Sequence, residues 1–150
     1  FFAWWRLFGL FYMRYMECEE EVMFPWVESK VKLAGLLVEG KRKKIKDHLR
    51  YVLLLVVRFE KRIRSGEFDC EPLYVIKRAV DKVALLSQEY FTYEERTLPR
   101  LAQAKFSERE KKELDKSIIS FYLKGSNAAA DIIILSRWLQ KDHRDPKQLL

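Results

Sequence analysis

Histidine is nearly absent from this chain of 150 residues. Only His48 and His143 occur, and neither has a carboxylate four residues on, where Val52 and Lys147 stand. That inventory excludes a metal centre rich in nitrogen ligands. Cysteine is as scarce: Cys18 and Cys70 are too few and too far apart for a disulfide framework, and both are expected to be reduced and packed as small hydrophobes. Five glycines and four prolines cannot supply the many turns of an all-β chain, which leaves helices joined by short loops. The apolar opening from Phe1 is broken by Arg6 and ends by Met13, short of the roughly 20 residues a membrane helix needs. It also lacks the small-residue cleavage pattern of a signal peptide. No glycine-rich phosphate loop, nucleophile elbow or zinc spacing occurs, and neither cysteine has a CxxC or nearby histidine context. The expectation is therefore a chain that is not an enzyme, with no catalytic residue and no cofactor, from a reducing, intracellular or organelle-interior compartment rather than a secreted one.

What is present is apolar and charged. Hydrophobic residues make up 49% of the chain, enough for one core, and 34% are charged, as exposed helix faces require. The length predicts a single domain over 1–150, with 142–150 as a tail. The net charge of +7 fits an acidic protein partner, nucleic acid or an anionic membrane.

Helical spacing runs along the whole chain. Residues 1–24 read as a helix with Trp5, Phe8, Tyr12, Tyr15 and Cys18 on one face, while Trp4, Phe11 and Met16 fall on others. A helix apolar on most of its circumference is buried on more than one side. Either an upstream helix before Phe1 covers the remainder, or it is a docking surface for another protein. Pro25 is expected to bend or end this helix. Over 36–64, Ile45, Leu49, Val52, Val56, Phe59 and Ile63 step by 4, 3, 4, 3 and 4, the seam of an antiparallel bundle. Ser65-Gly66 ends that helix. A further helix runs over 71–98, with Pro72 in its first turn and Pro99 closing it. Ser107-x-x-Glu110 is a capping box that opens a helix to about 124. Gly125-Ser126-Asn127 interrupts, and Ala128 to Lys141 is helical again. The fold class is an all-α, up-and-down bundle of four to five helices.

One pattern occurs twice. Glu20-Glu21-Val22-Met23-Phe24-Pro25 returns 74 positions later as Glu94-Glu95-Arg96-Thr97-Leu98-Pro99, with Met16 aligned to Tyr90. Glu19 to Glu28 resembles the end of the second helix of a hemerythrin-like (HHE cation-binding) domain, and Tyr90 to Pro99 resembles its fourth helix. Leu37 to Ile45 sits where the third begins, and Ser107-Glu108-Arg109-Glu110 resembles the start of the last. The resemblance spans roughly residues 10 to 120, and the family's first helix would lie before Phe1. It implies the bundle and argues against the family's di-iron chemistry. The two histidine positions of His-x-x-x-Glu fall on Met16 and Tyr90, with only Glu20 and Glu94 retained; no metal is expected at these vestigial positions. If the family geometry holds, Glu20 and Glu94 face the core and must be protonated, paired with a cation or rotated out.

Two surfaces are candidates for partners: the aromatic start, Trp4, Trp5, Phe8 and Phe11, and the basic run Lys41, Arg42, Lys43, Lys44 and Lys46. The function expected is that of a structural or interaction subunit of a larger assembly. A metal- or oxygen-binding module with a carboxylate-rich site is one alternative. An anion- or nucleic-acid-binding module using 41–46 is another, although that run lacks interleaved aromatics for base stacking. His48 is expected at a surface or boundary, and His143 in the solvated tail.

Overall fold

A computed structural model of the chain describes residues 1–33, 40–67 and 70–141. Every regular element among them is helical: α1 (Phe2–Cys18), a π-helical turn (Glu19–Met23), α2 (Phe24–Glu28), α3 (Gly40–Arg64), α4 (Glu71–Lys105), α5 (Glu108–Leu123) and α6 (Ala128–Lys141). The first three join end to end, so five helical rods form the bundle, and the all-α expectation is met.

Side-chain pairs give the directions. Phe2 meets Phe59 and Glu20 meets Lys46, so α1 and α3 are antiparallel. Tyr12 meets Ser87 and Trp26 stacks on Phe106, so α1–α2 runs parallel to α4. Phe11 meets Tyr122 and Lys30 meets Glu110, so α5 descends along α1. The main core lies between α1, α3 and α4, where Met16, Ile45, Leu49, Val52 and Val56 are fully buried. A second, smaller cluster of Cys18, Phe121 and Tyr122 lies under α5 and α6, with Ile132 and Leu135 packed on it. The seam read from spacing in α3 is the buried face of that helix, with Ile63 half-buried at its end. Each fully buried aliphatic side chain contributes about 2 kcal/mol.

Local chemistry sets the ends. Gly66 has φ of 82°, and two reversed bonds close α3 there: Gly66 N–H to Ile63 C=O and Glu67 N–H to Arg62 C=O. Ser107 and Glu110 form the reciprocal capping box of α5. Gly9 marks a close approach of α1 to α3: a Cβ there would meet the methyl groups of Leu53, which would have to turn aside.

The two prolines inside the rods differ in effect. Pro25 interrupts the α-helix without ending the first rod. The turn before it widens to a π-helix, with Phe24 N–H bonded to the Glu19 carbonyl, which relieves the clash a proline ring makes with the carbonyl four residues back. Pro99 does not close α4, which continues to Lys105. Leu98 is buried and Leu101 packs on the core, while beyond the helix Phe106 stacks on Trp26 at 3.7 Å. That packing outweighs one missing hydrogen bond. Cys70 is also a correction: it is exposed at the N-cap of α4, whereas Cys18 is buried, and both are free. Residues 36–39 of the expected third helix, Leu37 to Glu39 of the resemblance, His143 and the 142–150 tail lie outside the described residues.

Candidate functional site

The second copy of the glutamate pattern contributes Glu94 to a polar layer in the main core. Tyr12, Tyr15, Met16 and Glu19 fall within two turns of one helical face, which brings them against α4. Met16 and Tyr90, the positions aligned with histidines, are both buried, at 0% and 1% exposure. Glu94 is buried as expected. Its partner across the interface is Glu19, at 0% exposure, rather than Glu20. The Tyr90 hydroxyl donates to Glu19 Oε2 at 2.8 Å, and the Tyr15 hydroxyl lies 3.2 and 3.3 Å from the two Glu94 oxygens. One turn earlier, Tyr12 donates to Ser87.

The layer holds a proton. Burial, and then the negative charge of Glu94, push the Glu19 carboxyl up to about 9, against the pull of the Tyr90 and Tyr15 hydrogen bonds. Burial raises Glu94 as well, opposed by its bonds to Glu19 and Tyr15 and by the Arg42 charge. Two carboxyls so close in a low-dielectric layer do not both ionise. Glu19 Oε1 is shielded and has no donor near it. A proton there converts an orphaned acceptor into a donor towards Glu94. The phenols of Tyr15 and Tyr90 are raised by burial and then by the Glu19 charge, so they stay neutral donors. The Cys18 thiol is pushed up to about 12 by burial, which leaves it unreactive.

Glu20 turns instead towards α3. It is half-exposed, accepts from Lys46 Nζ at 2.6 Å, and lies 3.9 Å from Arg42 Nε. Arg42 is buried, with its guanidinium 4.2 Å over the Phe24 ring. Lys41 lies 3.4 Å from Glu89. The basic run is thereby divided: Arg42 and Lys46 brace the bundle internally, Lys41 crosses to α4, and of the five only Lys43 and Lys44 are exposed. His48 is half-buried on α3.

The aromatic start is likewise divided. Trp5 is buried in the core, and Phe8 and Phe11 are half-buried. Trp4 is 56% exposed and stacks face to face on Phe8 at 4.9 Å. Leu7 and Leu10 are exposed on the same helix and Phe1 at its N-cap, and Leu7 and Leu10 extend the surface read from the sequence.

The donors at the layer do not fit a di-iron group. Met16 and Tyr90 offer no imidazole, Glu20 is engaged by Lys46, and the oxygens of Glu94 face Tyr15. Among the described residues, no group of three or more histidine, cysteine or acidic side chains is placed to hold a metal ion. Sequence reasoning chose Glu20 through the repeat and passed over Glu19. The signal for Glu19 was its place four residues after Tyr15 and three after Met16. No helix among the described residues is long and apolar enough to cross a membrane. No family model, curated protein or solved structure matches the chain.

Proposed function

We propose that the chain is a non-catalytic interaction subunit, built on a hemerythrin-like bundle without a di-iron site, that docks to other protein subunits through the outward aromatic face of α1. The observation that carries this reading is Trp4, an indole stacked on Phe8 yet 56% exposed, with Phe1, Leu7 and Leu10 exposed beside it. Tryptophan is among the side chains most enriched at the energetic centres of protein interfaces. The polar layer supports the same reading. A neutral acid, a carboxylate and two phenols tie the first rod to α4, and two of the four, Tyr90 and Glu94, stand at positions where the resemblance places ligands.

The metal- or oxygen-binding alternative draws on Glu19 and Glu94 sharing one buried layer. Their oxygens, however, already face phenols and each other. The anion-binding alternative through 41–46 loses its continuous surface, because Arg42 and Lys46 point inward. The test is co-purification of the full chain from its native source, alongside a Trp4→Ser/Leu7→Ser variant. A stoichiometric protein partner held by the wild type and released by the variant supports the proposal. A monodisperse monomer, or a partner that the variant retains, refutes it.

A further inference from the structure

The outward side of α3 carries a second surface, opposite its buried seam. α1 covers one flank of the helix, where Gly9 meets Leu53 and Glu20 meets Lys46, and α4 covers the other, where Glu89 meets Lys41. Between those flanks, Lys43, Arg50, Leu54 and Lys61 follow at steps of 7, 4 and 7, all exposed. Tyr51, Val57 and Arg58 widen the strip, and Tyr51, Leu54 and Val57 are each close to half-exposed. From Lys43 to Lys61 the strip is about 27 Å long at the helical rise.

The charge on this face is one-sided. Some exposed cations elsewhere are matched along their own helices, as in Lys77–Asp81 and Arg109–Glu113. Here one acid, Asp47, pairs with Arg50 at 3.3 Å. Lys43, Arg58 and Lys61 form no ion pair among the described residues. Cations at both ends and along the sides enclose three exposed apolar side chains in the middle.

We propose that the outward face of α3 binds the surface of an anionic phospholipid bilayer. Tyr51, Leu54 and Val57 enter the headgroup boundary, and Lys43, Arg50, Arg58 and Lys61 face lipid phosphates and carboxylates. The combination identifies the ligand class. Helical faces that join basic residues to apolar ones lie in the membrane interface, where each cation adds to attraction by anionic lipid. A nucleic acid backbone would engage the cations and leave Leu54 and Val57 facing water.

The experiment is sedimentation of the full chain with phosphatidylcholine vesicles and with vesicles that also contain phosphatidylserine. Binding is expected only to the second kind, and to weaken with salt. Lys61→Gln weakens it about fivefold, the effect of one interfacial cation. Leu54→Ser weakens it without changing the salt dependence, and Lys43→Glu/Arg58→Glu/Lys61→Glu abolishes it. All these positions are exposed, and circular dichroism melts verify the fold of each variant. Equal binding to both vesicle types overturns the proposal, as does full binding by the triple variant or no binding by folded wild type. Duplex DNA or RNA binding that the triple variant loses, with no vesicle binding, also overturns it and assigns the face to a polyanion. Trp4→Ser leaves vesicle binding unchanged, so this proposal and the α1 docking surface fail separately.

Discussion

Replacing Glu19 by glutamine separates a neutral buried acid from an ionised one. The introduced amide would keep both bonds of the layer: its carbonyl accepts from Tyr90 and its N–H donates towards Glu94. It cannot titrate. In the wild type the Glu19 carboxyl rises from its ordinary 4.5 to about 9 in the folded chain. A carboxyl with a raised folded pKa contributes stability that is fully present below 4.5 and is lost as pH rises towards 9. Across that window one proton separates the folded and unfolded states, so stability falls by about 1.4 kcal/mol per pH unit at most. Between about pH 5 and pH 8 the ceiling is ~4 kcal/mol. The assay is urea unfolding of wild type and Glu19→Gln at several pH values, read as the difference between the two curves so that titrating groups away from the Glu19–Glu94 layer cancel. Near pH 5 the two should agree within about 1 kcal/mol, the net worth of one hydrogen bond. By pH 8 the glutamine variant should be the more stable by a few kcal/mol. A difference that stays constant with pH would show that Glu19 titrates alike in both states, and the neutral-acid account of the layer would be wrong.

Other perturbations test other joints. Gly9→Ala brings a methyl against Leu53, and because about 1 kcal/mol of helix propensity offsets the overpacking, stability should fall by about 2 kcal/mol at most. Adding Leu53→Ala should recover part of that loss in a double-mutant cycle, whereas additive effects would place the strain elsewhere. Gly66→Ala puts a side chain at a φ of 82° and should cost about 1 kcal/mol by thermal melt. Ser107→Ala removes the cap of α5 and should also cost about 1 kcal/mol, with the loss of helicity confined to the α5–α6 side. Trp4→Ser should lower stability by about 1 kcal/mol by thermal melt, the worth of the stack on Phe8, and leave the chain folded.

Much of the bundle was legible in the residues because the features concerned are local or periodic. The alternating spacing from Ile45 to Phe59 could serve only one buried face, and that face is buried. Ser65-Gly66 and Ser107-x-x-Glu110 carry their own geometry, and both ends form as read. Pro99 was misread because a proline's effect depends on what packs around it. Pro25 is absorbed by a widened turn, and Pro99 by the burial of Leu98 and the packing of Leu101. The buried acid was misassigned for a related reason. Glu19 and Glu20 flank the centre of the inward face, one towards α4 and the other towards α3. Repeat alignment alone cannot distinguish them. Only the phenol of Tyr90 and the ammonium of Lys46 show which carboxyl is buried and which is braced at the edge. The basic run was legible as charge but not as surface, since a helix distributes five cations around its circumference.

The most direct test of the account is the iron content of the full chain, produced with iron supplied and measured by elemental analysis beside its visible absorption spectrum. The account predicts a folded, helical protein with far less than one iron per chain and no absorption band from a di-iron centre. Near-stoichiometric iron that is lost on Glu94→Gln would contradict it, and would return the buried layer to metal or oxygen chemistry.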